Sequence, residues 1–221
     1  MDRLSTELDE KIIQQLAGRE ASALSMTSKY YRSLAEQQLY RELTFSTKQC
    51  MDLMLLLETL VDRQDLAKHI HSFTITTNGT PEFTLAFDAI FFPRFQSRIN
   101  EYERVIWDFV PSSSRSRAER WLEQMYQGEQ VIDGQLAVIC CLSENMKHLT
   151  LGGVYPSSLP ITLSVLETSW SKVSAGFQSS GGYRGTTWRF SKDSTQPAEG
   201  KILSPDGSEW SIADGHLVRC R

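Results

Sequence analysis

The sequence predicts an α/β protein: an N-terminal three-helix bundle, then a short, irregular helix–strand solenoid, closing in a small β meander. Three observations predict it. Apolar residues recur at helical spacing through the first forty-odd residues. Beyond them, an apolar zero-three-five spacing recurs at three places, each behind a helical stretch or its end. From Gly152 onward, glycine, serine and proline punctuate short alternating runs.

The first helix carries Leu8, Ile12 and Leu16 every four residues, with Ile13 beside them. The spacing makes one apolar stripe, with Glu7, Asp9, Glu10 and Lys11 on the other faces. Ser5 and Thr6 stand where an N-cap belongs, and the acidic residues after them suit the positive end of the helix dipole. Gly18 is expected to end this helix. A short second helix follows, with Glu20 in its first turn and Ala21 and Leu24 facing inward. Ser28 then caps a third, in which Tyr30, Tyr31, Leu34, Ala35, Gln38 and Leu39 lie three and four apart. Three helices in so few residues lie near the lower size limit for independent folding, so the bundle gains by laying spare apolar residues on a partner.

The order of residues from Leu4 to Phe45 resembles the F-box. Leu4-Ser5 stands for its Leu-Pro, Glu7-Leu8 for the next pair, and Ile12 and Leu16 for the apolar residues of its first helix. Glu20-Ala21 stands for Asp-Leu, Leu24 for the following Leu, Thr27-Ser28-Lys29 for Thr-Ser-Lys, and Leu34-Ala35 for the closing pair. Leu39-Tyr40-Arg41 looks like the exit sequence of fungal members. Ser5 replaces the proline and Ala21 a larger apolar residue, and both departures weaken packing or adaptor contact. The resemblance implies that the bundle docks on the Skp-family adaptor of an SCF-type cullin–RING ubiquitin ligase through Leu4, Ser5, Leu8, Ile12, Leu16, Leu24 and Leu34. It further implies that the C-terminal region holds a target protein, whose identity and contact residues the sequence does not define. A three-helix bundle without that role is the alternative reading, since amphipathic helices are common.

The zero-three-five spacing falls on Tyr40, Leu43 and Phe45, on Ile70, Phe73 and Ile75, and on Met146, Leu149 and Leu151. This is the register of leucine-rich repeats, in which a short strand points alternate apolar residues at the core. Helices are expected over Gln49 to His69, through Met51, Leu55, Leu56, Thr59, Leu60 and Leu66, and over Gln130 to Asn145, through Ile132, Leu136, Ile139 and Cys140. Helix then strand, repeated, predicts parallel strands joined by right-handed crossovers. The second copy begins 30 residues after the first and the third a further 76 later (Tyr40, Ile70, Met146), so degenerate repeats or an insertion fill the wider gap. Segments such as DLAKHIHSFTIT and ENMKHLTLGG look like repeat strands of fungal F-box proteins with leucine-rich-like C-terminal regions.

The gap is rich in aromatics. Phe83, Leu85, Phe87, Ile90, Phe91 and Phe92 precede Pro93, which ends any helix there. Ile99, Tyr102, Val105, Ile106 and Phe109 make the inner face of one helix, with Trp107 near its edge. Ala118, Trp121, Leu122 and Met125 mark another, capped by Ser114 or Ser116. These aromatics read as ordinary core ahead of a recognition surface. Farther on, Ser204-Pro205-Asp206-Gly207 and Ala213-Asp214-Gly215 separate Lys201–Leu203, Glu209–Ile212 and His216–Val218 into a meander, with Thr187–Phe190 as an added strand. The organisation is then 1–45 F-box-like bundle, 46–166 repeat-like region and 167–221 either a divergent cap or a partly disordered tail.

Composition excludes several classes. The net charge of −4 and a pI near 5.6 argue against nucleic-acid or anionic-membrane surfaces, which need a basic excess. No signal peptide is expected, and the greasy run from Met51 to Leu60 is broken by Asp52 and Glu58 and too short to span a bilayer. Cys50, Cys140, Cys141 and Cys220 show no C-x-x-C spacing, which fits reduced thiols in the cytoplasm or nucleus. Gly181, Gly182 and Gly185 lack the Lys-Ser/Thr of a phosphate loop, and no G-x-S-x-G is present. His69 and His71 share a strand face, but a metal would need a further ligand from elsewhere; they read as polar flanks of Ile70. Acidic residues read as solvated helix exteriors. No catalytic, cofactor or metal site is therefore expected. The function expected is a non-enzymatic ubiquitin-ligase adaptor, with a structural or assembly role outside ubiquitylation as the alternative and a small hydrolase as a remote one.

Overall fold

The computed structural model describes residues 6–46, 50–76, 93–110, 115–127, 131–152, 159–169, 174–179, 186–191, 202–203, 209–213 and 216–219. The three N-terminal helices form, with two corrections. Helix α1 runs Thr6–Ile13, so Leu16 falls in the turn that follows rather than on the helix. Gly18 does not end α1 but opens α2, Gly18–Ser25. The cause is local: Ala17 takes an extended N-cap conformation, and its N–H donates to the Glu20 carboxylate at 3.0 Å. That is half of a capping box, since Ala17 has no side-chain acceptor to supply the other half. Ala21 is fully buried and Leu24 only partly.

Helix α3, Lys29–Arg41, starts where the sequence predicts, with the Tyr31 N–H donating to Ser28 Oγ at 3.1 Å. Ser28→Ala should cost about 1 kcal/mol in a denaturant titration. A midpoint unchanged within error would show that water replaces the cap. Leu34 and Ala35 bury the inner face of α3.

Arg41 leads directly into β1, Glu42–Ser46, which pairs in parallel with β2, Ser72–Thr76. Strand β2 pairs in parallel with β3, His148–Gly152, setting Phe73 opposite Leu149 and Ile75 opposite Leu151. These four side chains are buried, whereas Thr74 and Thr150 are half-buried. The alternation read from the sequence is thus the register of the sheet. The Phe45 and Phe73 rings stack at 5.6 Å across the first pair, and Ile70 and Met146 are buried just ahead of their strands.

The stretch expected as one helix between β1 and β2 divides into α4, Cys50–Asp62, and a single turn, α5, Gln64–Ala67. At the break, Arg63 forks onto Glu36 of α3, at 2.9 and 3.0 Å, and onto Asp65 at 2.7 Å. The expected phase of this stretch is met in part. Leu56, Leu60 and Leu66 are buried as expected, but Leu53, Met54 and Leu57 join them while Met51 and Leu55 stand about half exposed. Leucine and methionine occupy every face here, so packing rather than spacing chooses the buried one.

A helical turn over residues 93–97 and three helices fill the interval before β3: α6 (Ile99–Phe109), α7 (Arg115–Gln127) and α8 (Val131–Leu142). Ile99, Tyr102, Val105 and Ile106 of α6, and Ala118, Trp121, Leu122 and Met125 of α7, are buried as their spacing predicts. Phe109 is half-buried against them. Phe95 packs on Tyr102 at 4.8 Å between ring centroids; the expected Phe83–Phe92 cluster lies outside the described residues. Glu103 ties α6 to α7, accepting from Trp107 Nε1 at 3.1 Å and from the Tyr126 hydroxyl at 2.9 Å. Helix α8 is buried all round except at Ile132 and Leu142. It packs tightly on α7 at Gly134, where a Cβ would lie 3.0 Å from Met125 Cγ.

The expectation that every acidic residue faces water fails at Asp133. It is 1% exposed in the first turn of α8. Its carboxylate accepts the backbone N–H of Ile161 at 2.7 Å and of Thr162 at 2.8 Å, and the Thr162 hydroxyl donates to its carbonyl at 3.1 Å. It thereby caps α9, Pro160–Ser169, from a different helix. Burial drives the Asp133 carboxyl up to about 7, against the pull of those hydrogen bonds.

After β3 the sheet changes character. Strand β5 (Thr186–Ser191) pairs antiparallel with both β3 and β4 (Ser174–Ser179). A short β6 (Ile202–Leu203), β7 (Glu209–Ala213) and β8 (His216–Arg219) follow as the expected meander. The order is β1-β2-β3-β5-β4-β6-β7-β8 in one mixed sheet. The described strands beyond residue 167 therefore continue the sheet itself. Helix–strand repetition stops at β3, and among the described residues no solenoid forms: the chain is mixed α/β, with three parallel strands at one side of the sheet.

Candidate functional site

Helix α1 is eight residues long and buries only Asp9 and Ile13 among its described residues. The sequence places the inner stripe on Leu8, Ile12 and Leu16; the fold turns α1 by one residue. Leu8 is 47% exposed and Ile12 51%, and they share an outward stripe because they lie four apart. The reason lies on α3. The Tyr30 hydroxyl donates to Asp9 Oδ2 at 2.8 Å, which draws the Asp9–Ile13 face inward and swings its neighbours out.

The remaining residues assigned by the resemblance divide three ways. Leu16 and Leu24 are partly exposed, and Leu34, at 8%, is buried. Leu4 and Ser5 lie outside the described residues. Two exposed apolar side chains escaped the sequence reading: Met26, 76% exposed in the α2–α3 turn, and Tyr30, 42% exposed. Spacing offers no signal for Met26, because it lies between helices. Spacing groups Tyr30 with the other apolar residues of α3, and its position is set by its distant partner Asp9.

On another side of the bundle, α1 and α3 border an open cleft of about 240 Å³. Ile13 and Leu34 form its floor, with Glu10, Gln38, Arg41, His69 and His71 among its polar walls. His71 Nδ1 lies 2.7 Å from the His69 carbonyl, so Nδ1 carries the proton in the neutral ring. The His71 backbone also aligns three strand starts: its N–H donates to the Arg41 carbonyl, and its carbonyl accepts from Lys147 and His148. Both histidines thus read as polar flanks of Ile70, which is fully buried. Among the described residues no group of three His, Cys, Asp or Glu side chains is placed to hold a metal ion.

Cys140 and Cys141 are unpaired and buried on α8, and burial raises both thiols well above the usual range for cysteine. They pack as small hydrophobes. Among the described residues no helix is long and apolar enough to cross a membrane. Comparison with family models, with curated proteins and with solved structures found no match.

Proposed function

We propose that this chain is an F-box-type adaptor subunit that docks on a Skp-family protein and presents a target protein to a cullin–RING ubiquitin ligase. One observation carries the reading. Leu8 and Ile12, two residues that match the F-box pattern, stand half exposed on a helix that buries little else. Exposed leucine and isoleucine four apart on a small bundle are a cost in water unless a partner covers them. The mechanism is proximity: one end binds the ligase, the other a target, and the target's lysines gain effective concentration near a ubiquitin-charged enzyme. The chain itself supplies no nucleophile in this reading. The repeat-like parallel strands β1–β3 are the platform we assign to the target, through their half-buried threonines Thr74 and Thr150.

Affinity capture of the full chain from cells under proteasome inhibition tests the reading. Skp adaptor together with cullin is the expected catch from wild type, and Ile12→Asp should lose both. Because Ile12 is exposed, that variant should fold normally. Adaptor without cullin would favour a structural or assembly role, and neither protein on well-folded wild type would end the proposal.

A further inference from the structure

We propose that Tyr30 is a phosphorylation site whose modification releases α1 from the bundle, and with it the Leu8–Ile12 stripe. The part of this inference that concerns adaptor binding rests on the function proposed above; the part that concerns α1 does not.

The geometry is that of a clamp. The Tyr30 hydroxyl donates to Asp9 at 2.8 Å, so the phenol holds α1 near its middle. Ile13 is the only other described residue of α1 that is buried. An eight-residue helix has little stability of its own, so α1 persists only while docked. Residues 26–30 are all exposed, running from the α2–α3 turn into the first turn of α3. A kinase can therefore reach Tyr30 once the Asp9 bond opens, whereas Tyr102 is sealed in the core.

The phenolic oxygen would attack the terminal phosphorus of a nucleoside triphosphate. The bond from that phosphorus to the β-phosphate oxygen breaks, the phenolic proton passes to the kinase's base, and nucleoside diphosphate leaves. The product carries close to two negative charges and no hydrogen to donate. Toward α1 it meets the Asp9 carboxylate, and Arg32, two residues along, is turned to the Ser25 carbonyl instead. The modification thus repels α1.

The test is hydrogen exchange on the full chain carrying phosphotyrosine at position 30, with unmodified wild type and Tyr30→Phe alongside. Amides of α1 should lose roughly tenfold or more of their protection on phosphorylation, while amides of α8 and β2 stay unchanged. Asp9→Asn in the phosphorylated chain should restore α1, since the amide removes the repulsion. Unchanged α1 protection, no restoration by Asp9→Asn, or loss spread through the sheet would each overturn the proposal. Treating the folded wild type with a broad-specificity tyrosine kinase should modify Tyr30 and spare Tyr102. Modification of exposed Tyr126 without Tyr30 would also overturn it. Adaptor affinity, measured on the same samples, should fall with α1 protection; unmodified wild type that binds no adaptor would end the functional reading alone.

Discussion

Replacing Asp133 with alanine should destabilise the fold by about 2–6 kcal/mol, as each of two buried backbone N–H groups left without an acceptor costs roughly 1–3 kcal/mol. The substitution strands the Ile161 and Thr162 N–H groups at the buried start of α9. Asp133→Asn keeps the shape but offers one acceptor where two donors point, so it should fall between wild type and alanine. The pH dependence has a definite sign. The folded carboxyl titrates at about 7, above its ordinary value of 3.8, because burial disfavours the charge. Between those values the folded chain holds a proton that the unfolded chain has lost, so stability falls as pH rises from about 4 to 7. The slope from this group approaches roughly 1.4 kcal/mol per pH unit. Asp65 works in the opposite sense: its bond to Arg63 lowers its pKa, and its small surface contribution is lost in acid. Denaturant titrations at pH 5 and pH 8 should show wild type gaining over Asp133→Asn on acidification. Parallel pH profiles would show that Asp133 stays ionised throughout.

Phe73→Ala should cost about 3–5 kcal/mol, and Thr74→Ala, one residue along, only about half a kcal/mol. Phe73 is 1% exposed, stacks on Phe45 and faces Leu149 across the β2–β3 pair. Its removal opens a cavity at the centre of the parallel strands, where the rigid backbone pairing limits collapse. Thr74 is half-buried on the opposite face and leaves nothing behind it to collapse. Equally mild midpoint shifts for the two would mean that the sheet does not discriminate its faces.

How much of this was legible depends on how local each cause is. The strand faces were, because Phe73 and Ile75, and Leu149 and Leu151, alternate with threonine, and period two fixes a face within five residues. The inner faces of α6 and α7 were legible for a similar reason, since their apolar residues keep to one side. Helix α4 was not: between Met51 and Leu57 only Asp52 is polar, so its phase is set by what it packs against. The phase of α1 was misread by one residue because Leu8 and Ile12 outweigh Ile13 in any count of apolar residues. What overrides them is a hydrogen bond to Tyr30, 21 residues away. Asp133 was illegible for the same reason, its partners lying 28 and 29 residues on. The switch from parallel to antiparallel pairing at β3 is a choice between strand neighbours, which no periodicity encodes. In the candidate site, the positions that match the F-box pattern were legible as residues, but which of them face outward was not.

The central claim, that the Leu8–Ile12 stripe is a docking face for a Skp-family adaptor, is tested most directly by titrating purified adaptor into the full chain in a calorimeter. Wild type should give a saturable one-to-one complex. Ile12→Asp should abolish it without changing the unfolding midpoint, and Leu55→Asp, an equally exposed apolar site on α4, should leave it intact. No heat of binding from a well-folded wild type, or equal loss in both variants, would contradict the claim.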